Sequence, residues 1–331
     1  MKKTESEKKI ELDHGGGGQK SSEIISDIRS ILNLTGDWNN CEDDAATFEL
    51  GDGKKLVFTT DAFIVDPVFF PGGDIGKIAM CGTINDLAVM GAEPIGISLS
   101  IVMEEGYPKS DFEKIIKSID KVSKESGVPI VTGDTKVTEK GKIDKIEITT
   151  AGVGLVDEVI ENSGIQEGDF IITSGDLGEH AVTLLASRFN YQTDVKSDCK
   201  HLNHELKEVG RYLSACKDPT RGGVGANLVE MVEKSGVKVV LFEKDLPYKK
   251  EVRAVSELLG IDIFSLASEG RFIASVSEKN VEKVLKILKK YNKEARIIGK
   301  AEKGIGVFVE NELGGLRPVE MPKGKLIPRI C

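Results

Sequence analysis

Short apolar runs alternate with helix-spaced apolar patterns along most of this chain, with glycine and aspartate standing at several of their ends. Such alternation dictates layers of sheet and helix rather than an all-helical or all-β body. Strand signals fall at 56–60, 95–102, 128–132, 146–153, 170–174, 237–241, 272–276 and 306–309. Ile24, Ile25, Ile28, Ile31 and Leu32 share one helical face, with Ser21 or Ser22 available as cap. Asp74 can cap a second helix running through Met90, and Ser110-Asp111-Phe112-Glu113 reads as a capping box for a third. Further helices are expected near 181–187, 204–213, 225–234 and 279–291. The order lacks the regularity of a simple dinucleotide-binding sheet. A polar, glycine-bearing stretch over 161–169 divides the pattern. The expected fold is therefore α/β (α+β) in two domains, 1–160 and 161–319, with 320–331 as an extended, adjustable tail.

Charge narrows the partners. The formal net charge is −9, lysines are mixed with glutamates, and aromatics make up only 5%. That balance argues against nucleic acid and against an anionic membrane. No stretch approaches a membrane span, and the opening Met1-Lys2-Lys3-Thr4-Glu5 is charged, unlike a signal-peptide core. Cys41, Cys81, Cys199, Cys216 and Cys331 form no CxxC pair, so a reduced, cytoplasmic setting is expected rather than a disulfide framework or a zinc site. Cys81, inside Ile78-Ala79-Met80-Cys81, reads as a packed core thiol.

Acids cluster where elements end. Glu42-Asp43-Asp44 follows Cys41, Asp61 closes the run ending in Thr59-Thr60, and Asn85-Asp86 lies within the helix led by Asp74. Carboxylates are hard oxygen ligands and suit magnesium carrying a polyphosphate. Each is also ordinary turn chemistry when taken alone, although an acid at 86 among Ile84, Leu87 and Ala88 needs a partner if buried. Asp134 and Lys136, in Thr132-Gly133-Asp134-Thr135-Lys136, follow another apolar run and suit phosphate binding or proton transfer, or an exposed turn. The run Asp218-Pro219-Thr220-Arg221-Gly222-Gly223 is the strongest of these signals. Thr220 and Arg221 can contact phosphate, while Gly222 and Gly223 open a helix whose amides favour anions. Glu269 offers an acid–base carboxylate, with a surface ion pair to Arg271 as its rival. The glycine run after His14 can supply amides to phosphate or simply be a flexible lead. His180, His201 and His204 read as ordinary residues, with His180 the one placed to approach a nucleotide. Neither GxxxxGK[ST] nor GxGxxG is present.

The chain ends in Pro328-Arg329-Ile330-Cys331. A thiol on the last residue can be presented to another protein or inserted into a pocket of its own enzyme.

Together these residues resemble the HypE family of hydrogenase maturation proteins, carbamoyl dehydratases of the aminoimidazole-ribonucleotide-synthetase-like (PurM-like) ATP-binding superfamily. The likeness runs from His14-Gly15 to Cys331 through Glu42–Ala46, Thr60-Asp61, Phe69–Lys77, Cys81–Leu87, Gly133–Lys136, Asp218–Gly223 and Glu269-Gly270. The resemblance implies a two-domain PurM-like fold, a homodimer joined through the N-terminal halves, and ATP with Mg2+ between the domains. It implies that Asp44, Asp61, Asp86 and Asp218 surround metal and phosphates, and that Asp43, Asn85, Asp134, Thr220, Arg221, Gly222 and Gly223 take part in nucleotide binding. It further implies that a HypF-type carbamoyltransferase loads Cys331, and that Lys136 and Glu269 serve the ATP-dependent dehydration of the S-carbamoyl group to S-cyanate. Cyanide then passes to a HypC–HypD-type iron scaffold complex. The tail would alternate between tucked and extended states, with Gly324 and Pro328 shaping the motion. A selenophosphate or aminoimidazole-ribonucleotide synthetase is the related alternative, but no cysteine precedes Cys41 and neither explains the terminal cysteine. A non-catalytic scaffold docking through its tail is the alternative of another class, disfavoured by the clustered acids and Lys136.

Overall fold

The computed structural model describes residues 9–32, 36–51, 53–322 and 329–331. The charged opening at Met1–Glu5, Gly324 and Pro328 lie outside the described residues.

The first half is a five-stranded sheet in the order β1-β2-β7-β5-β6. After helix α1 (Gln19–Ile31), its strands are β1 (Ala46–Glu49), β2 (Lys55–Phe63), β5 (Glu93–Glu104), β6 (Ile130–Thr138) and β7 (Ile146–Val156). A two-stranded ribbon, β3 (Phe69–Phe70) with β4 (Gly73–Asp74), leads into α2 (Ile75–Val89), and α3 (Lys109–Ser126) follows β5. Only β5 and β6 pair in parallel, and β6 forms an edge. The second half is a seven-stranded sheet, β14-β13-β10-β12-β8-β11-β9. Its elements in chain order are β8 (Phe170–Thr173), α4 (Glu179–Phe189), α5 (Asn203–Val209), β9 (Leu213–Lys217), α6 (Gly223–Ser235), β10 (Lys238–Phe242), α7 (Lys250–Leu259), β11 (Ile273–Val276), α8 (Glu278–Leu288), β12 (Arg296–Glu302), β13 (Gly306–Glu310) and β14 (Leu316–Val319).

Helix α2 explains how the halves become one body. It is apolar nearly all round, so it must be covered on every side. Ile75, Ile78, Ala79, Met80, Cys81 and Ile84 are all at 0% exposure. They belong to one core that continues through Leu184, Val224, Leu228 and Met231 of the second half. Asp74 caps α2, its carboxylate accepting from the Lys77 N–H at 3.0 Å. Gly76 allows the close crossing with α3, since a methyl there would lie 2.8 Å from Ile115.

Differences from the sequence reading have local causes. Helix α3 begins at Lys109 behind Pro108, so Ser110 sits within the first turn and makes no cap. Proline presets the backbone at that entry, which a serine box would otherwise have to do. Helix 204–213 stops at Val209; a single tight turn, Gly210–Tyr212, leads into strand β9 instead. Among the described residues no helix is long and apolar enough to cross a membrane.

Candidate functional site

The acids converge where the two sheets face each other. Asp44 lies two residues before β1, Asp61 lies on β2, Asp86 on α2, and Asp218 follows β9. Asp44, Asp86 and Asp218 each offer an oxygen within 4.8 Å of the others. Asp61 adjoins them, its Oδ2 accepting from Thr83 Oγ1 at 2.9 Å, while Asp86 accepts from Thr59 Oγ1 at 2.9 Å. Lys217 closes one side by an ion pair with Asp44 and stands 3.5 Å from Glu230.

This much acid is uncomfortable without a cation. Burial, then the charge of Asp44, pushes Asp218 up to about 8. Burial, then Asp61, Asp218 and Asp44, raises Asp86 well above the carboxylate range, and burial raises Asp61 as well. Burial alone would lower Lys217, but Asp44 and Glu230 outweigh it and hold the ammonium above its ordinary value. Asp44 Oδ2 and Asp218 Oδ2 are buried without a hydrogen-bond partner. Unpaired carboxylate oxygens grouped at this spacing are a donor set for a hard divalent ion such as magnesium.

Glu269 reaches the same space from the loop before β11. It is 2% exposed, and its Oε1 has no hydrogen-bond partner. Burial, then Cys199, Asp218 and Asp198, raises it well above the usual range, with Arg221 pulling the other way. The rival ion pair is absent, since Arg271 binds Glu179 at 3.1 Å and approaches Asp198 at 3.9 Å. A buried carboxyl whose hold on a proton is strengthened in this way is suited to take up and pass one.

The terminal thiol is brought to these acids. Burial, then Glu269, pushes the Cys331 thiol far above its ordinary value, while Arg221 pulls it down and Asp61 and Asp218 add to the rise. Arg221 in turn is held above its ordinary value by the charge Cys331 carries when ionised, and then by Asp61, Glu269 and Asp86, against the effect of burial. Ile330 is 4% exposed, and its carbonyl lies 2.7 Å from His180 Nε2. His180 thus meets the tail, where the sequence pointed towards a nucleotide.

Glycines close the cleft near Arg221. Gly222 (φ +80) and Gly223 (φ +59) open α6, and a methyl at Gly222 would lie 2.2 Å from the Gly17 carbonyl oxygen. Gly17 itself (φ +81) leaves only 2.4 Å between an added methyl and Arg221 Cβ. The early glycine run therefore packs directly over the Thr220–Gly223 loop.

Two families of domain cover the chain: AIR synthase related protein, N-terminal domain, matches residues 42–156, and its C-terminal counterpart matches 166–310. The carbamoyl dehydratase HypE of Cupriavidus necator is 38% identical over 98% of this chain and 95% of its own. That of Escherichia coli is 36% identical over 97% and 99%. The chain belongs to the HypE family. Its fold is that of solved HypE structures: one in a HypE–HypF complex superposes with a TM-score of 0.84 at 38% identity, covering 92% of this chain and all of that one. A second, of HypE in complex with ATP, gives 0.81 at 35% identity over 98% and 100%.

Against that family pattern, four of the expected residues are not part of the acid cluster. Lys136 and Asp134 lie on the exposed edge strand β6, their side chains 74% and 67% exposed and 3.9 Å apart. The sheet order puts β6 at the edge opposite β1. Asp43 is taken up by Lys234 at 2.5 Å and by the Asn162 N–H at 3.3 Å. Asn85, fully buried, donates to the carbonyls of Lys200 and Glu269 and accepts from the Leu202 N–H, so in this state it ties α2 to the second half. The sequence reading missed Lys217, Asp198, Ser197 and Arg188. Lys217 had a signal: it directly precedes Asp218.

Proposed function

We propose that this chain dehydrates a carbamoyl group carried on Cys331 to a cyanate, at the expense of ATP, for the iron site of a NiFe hydrogenase. The observation that carries the reading is the Cys331 sulfur lying in the field of Glu269, Arg221, Asp61 and Asp218. A non-catalytic scaffold has no need to seat this half-buried side chain among those charges. A selenophosphate or aminoimidazole-ribonucleotide synthetase likewise gives no reason to place it there.

The chemistry follows from the bonds to be broken. An amide oxygen leaves poorly as hydroxide, so it first accepts the terminal phosphoryl group of ATP and then departs as phosphate. Both nitrogen-bound hydrogens are lost as the carbon–nitrogen triple bond forms. Glu269, buried beside the sulfur, is the group placed to hold one of these protons. Arg221, Thr220 and the amides of Gly222 and Gly223 would bind phosphate oxygens at the start of α6. Asp44, Asp86 and Asp218, with Asp61 adjacent, would hold Mg2+, which when bound neutralises charge on the phosphates. The docked cleft limits water, which would otherwise hydrolyse the loaded carbon.

The raised thiol also divides the cycle. A sulfur kept protonated in the cleft is a poor nucleophile, so loading by a HypF-type carbamoyltransferase belongs to the undocked tail. Release of cyanide to a HypC–HypD-type iron scaffold belongs there too. The cytoplasm suits such a cycle, since the reading needs Cys331 as a free thiol.

Lys136 calls for a second copy. Strand β6 is an open edge carrying Val131 and Val137 at 62% and 66% exposure, beside a groove of about 320 Å3 lined by Leu99, Ile101, Phe112 and Ile116. An apolar open edge is a pairing surface. We infer that two chains pair across it and that each Lys136 serves the partner's tail.

The test is mass spectrometry of the Cys331 peptide after carbamoyl loading and addition of ATP with Mg2+. The loaded peptide should lose the mass of one water in the wild type. Glu269→Gln should slow that loss by about a hundredfold or more, and Cys331→Ser should abolish loading with circular dichroism unchanged. Steady ATP turnover without any change at Cys331 would sink the reading.

A further inference from the structure

The last three residues are gripped through their backbone. The Arg329 carbonyl accepts the Asp66 N–H at 3.2 Å and a proton of Arg188, and the Cys331 carbonyl accepts the Ile64 N–H at 3.2 Å. The pairing runs antiparallel, because 64 meets 331 and 66 meets 329. Between these two bonds the Ile330 carbonyl points the other way and meets His180 Nε2 at 2.7 Å.

The state of that imidazole follows from its neighbours. His180 is at 0% exposure and stands edge-on to Phe70, with ring centroids 5.4 Å apart. Burial pulls it down to about 4, so the ring is neutral. A carbonyl oxygen can only accept, so Nε2 carries the ring proton and Nδ1 must accept. Ser197 Oγ lies 2.7 Å from Nδ1 and itself accepts the Cys199 N–H at 3.1 Å, which leaves the hydroxyl proton for His180. Ser197 is tied in turn to the ribbon ahead of α2, its N–H donating to the Pro71 carbonyl at 2.9 Å.

We propose that His180, oriented by Ser197, is a positioning residue that fixes how far the tail enters the cleft, and thereby where the Cys331 sulfur sits against Glu269 and Arg221. The peptide it binds is one residue from the reacting sulfur, so a slip there moves the carbamoyl carbon directly. Because an undocked Ile330 carbonyl finds water, loss of the bond weakens docking rather than folding. Recognition of a backbone carbonyl also makes the grip indifferent to what the sulfur carries, so thiol, carbamoyl and cyanate forms can all be seated in one register.

The rate part of the test rests on the dehydration reading; the thiol-protection part does not. Wild type, His180→Ala, His180→Gln and Ser197→Ala are compared as full chains. Alkylation of Cys331 by iodoacetamide without nucleotide is read on its peptide, and single-turnover conversion of the carbamoylated chain with ATP is read in parallel. His180→Ala should alkylate about tenfold faster and convert about tenfold more slowly, the effect of one lost buried hydrogen bond. His180→Gln, whose amide N–H can serve the same carbonyl, should recover part of both. Ser197→Ala keeps the ring but frees its tautomer and should fall between. Unchanged alkylation and conversion in His180→Ala, or equal losses with Ala and Gln, would overturn the proposal. If His180→Ala does not fold, Ser197→Ala decides on the same two readouts, and wild-type behaviour there overturns it. A wild-type chain that protects its thiol through His180 yet never converts the carbamoyl group would refute the dehydration reading alone.

Discussion

The cleft between the sheets and the open edge at β6 carry similar residues in opposite surroundings. In the cleft, Asp44, Asp86, Asp218 and Glu269 are crowded and partly or wholly buried, and burial raises Asp86, Asp218 and Glu269 above the ordinary carboxylate range. On β6, Asp134 and Lys136 are largely exposed and 3.9 Å apart. Solvent screens such an exposed pair to little effect on stability, whereas the cleft stores repulsion that a bound cation would relieve. On the proposed pairing, a single chain holds a charged but incomplete site, together with a lysine that serves the other copy. Chemistry and assembly are then separated: one chain builds the electrostatics, and pairing supplies the missing donor.

The sharpest way to break this comparison is subunit mixing. Lys136→Ala and Cys331→Ser should each lower cyanate formation by about a hundredfold or more when alone. Mixed after dissociation and reassociation, they form pairs in which an intact tail faces an intact partner lysine, and activity should return. If Lys136 acted within its own chain, no mixed pair would contain both groups in working relation and activity would stay absent. Cyanate on the Cys331 peptide of the Lys136→Ala chain is the readout.

How far the sequence foretold this contrast depends on which interactions are local. The acids of Asp44, Asp61, Asp86 and Asp218 stand at element ends or on an apolar helix, and those positions are visible in the pattern of residues. The separation of Lys136 from them is a matter of strand order, β1-β2-β7-β5-β6, which no local spacing encodes. Strand β12 went unseen because Arg296, Lys300 and Glu302 flank its apolar residues and Gly299 interrupts them at an irregular register. Helix α7 was likewise missed: with Lys250, Glu251, Arg253 and Glu257, only its Val252 and Ser256 are buried. His180 could be noticed but not assigned, because its partner lies 150 residues away at Ile330.

A medium-sized effect should appear when metal is removed. The folded Asp218 has its value at about 8 against 3.8 for the free side chain, so the folded protein holds a proton that the unfolded chain releases. Its stabilising contribution is complete below 3.8 and is lost as pH rises through about 8. Asp86 and Glu269 are shifted in the same direction. His180 opposes this only below its ordinary 6.5, where the unfolded chain takes up a proton. In chelator, Tm should therefore fall between about pH 6.5 and 8.5, by roughly 1.5 °C for each kcal/mol lost. Mg2+ should restore it most at the higher pH. A Tm that is flat with pH and indifferent to Mg2+ would mean that the cleft acids are not the cation site.

The smallest effect asks on which side of the molecule the nucleotide sits. Gly17 takes φ +81 and lies against Arg221, so alanine there meets both a left-handed backbone and a contact of 2.4 Å. Gly15 has nothing within 4 Å of an added methyl and no left-handed φ. Adopting the left-handed conformation costs a residue with a Cβ about 1 kcal/mol, and displacing Arg221 adds to that. Gly17→Ala should consequently weaken ATP binding by about five- to tenfold in calorimetry with Mg2+ present, while Gly15→Ala should stay within about twofold. The docked Cys331 should also become harder to alkylate in Gly17→Ala, because displacing Arg221 removes the cation that pulls its thiol down. A nucleotide bound on the β6 side would be indifferent to both substitutions, since that strand lies at the far edge of the sheet from the glycine loop's contact with Arg221. Equal affinities for the two variants would therefore move the phosphates out of the interdomain cleft.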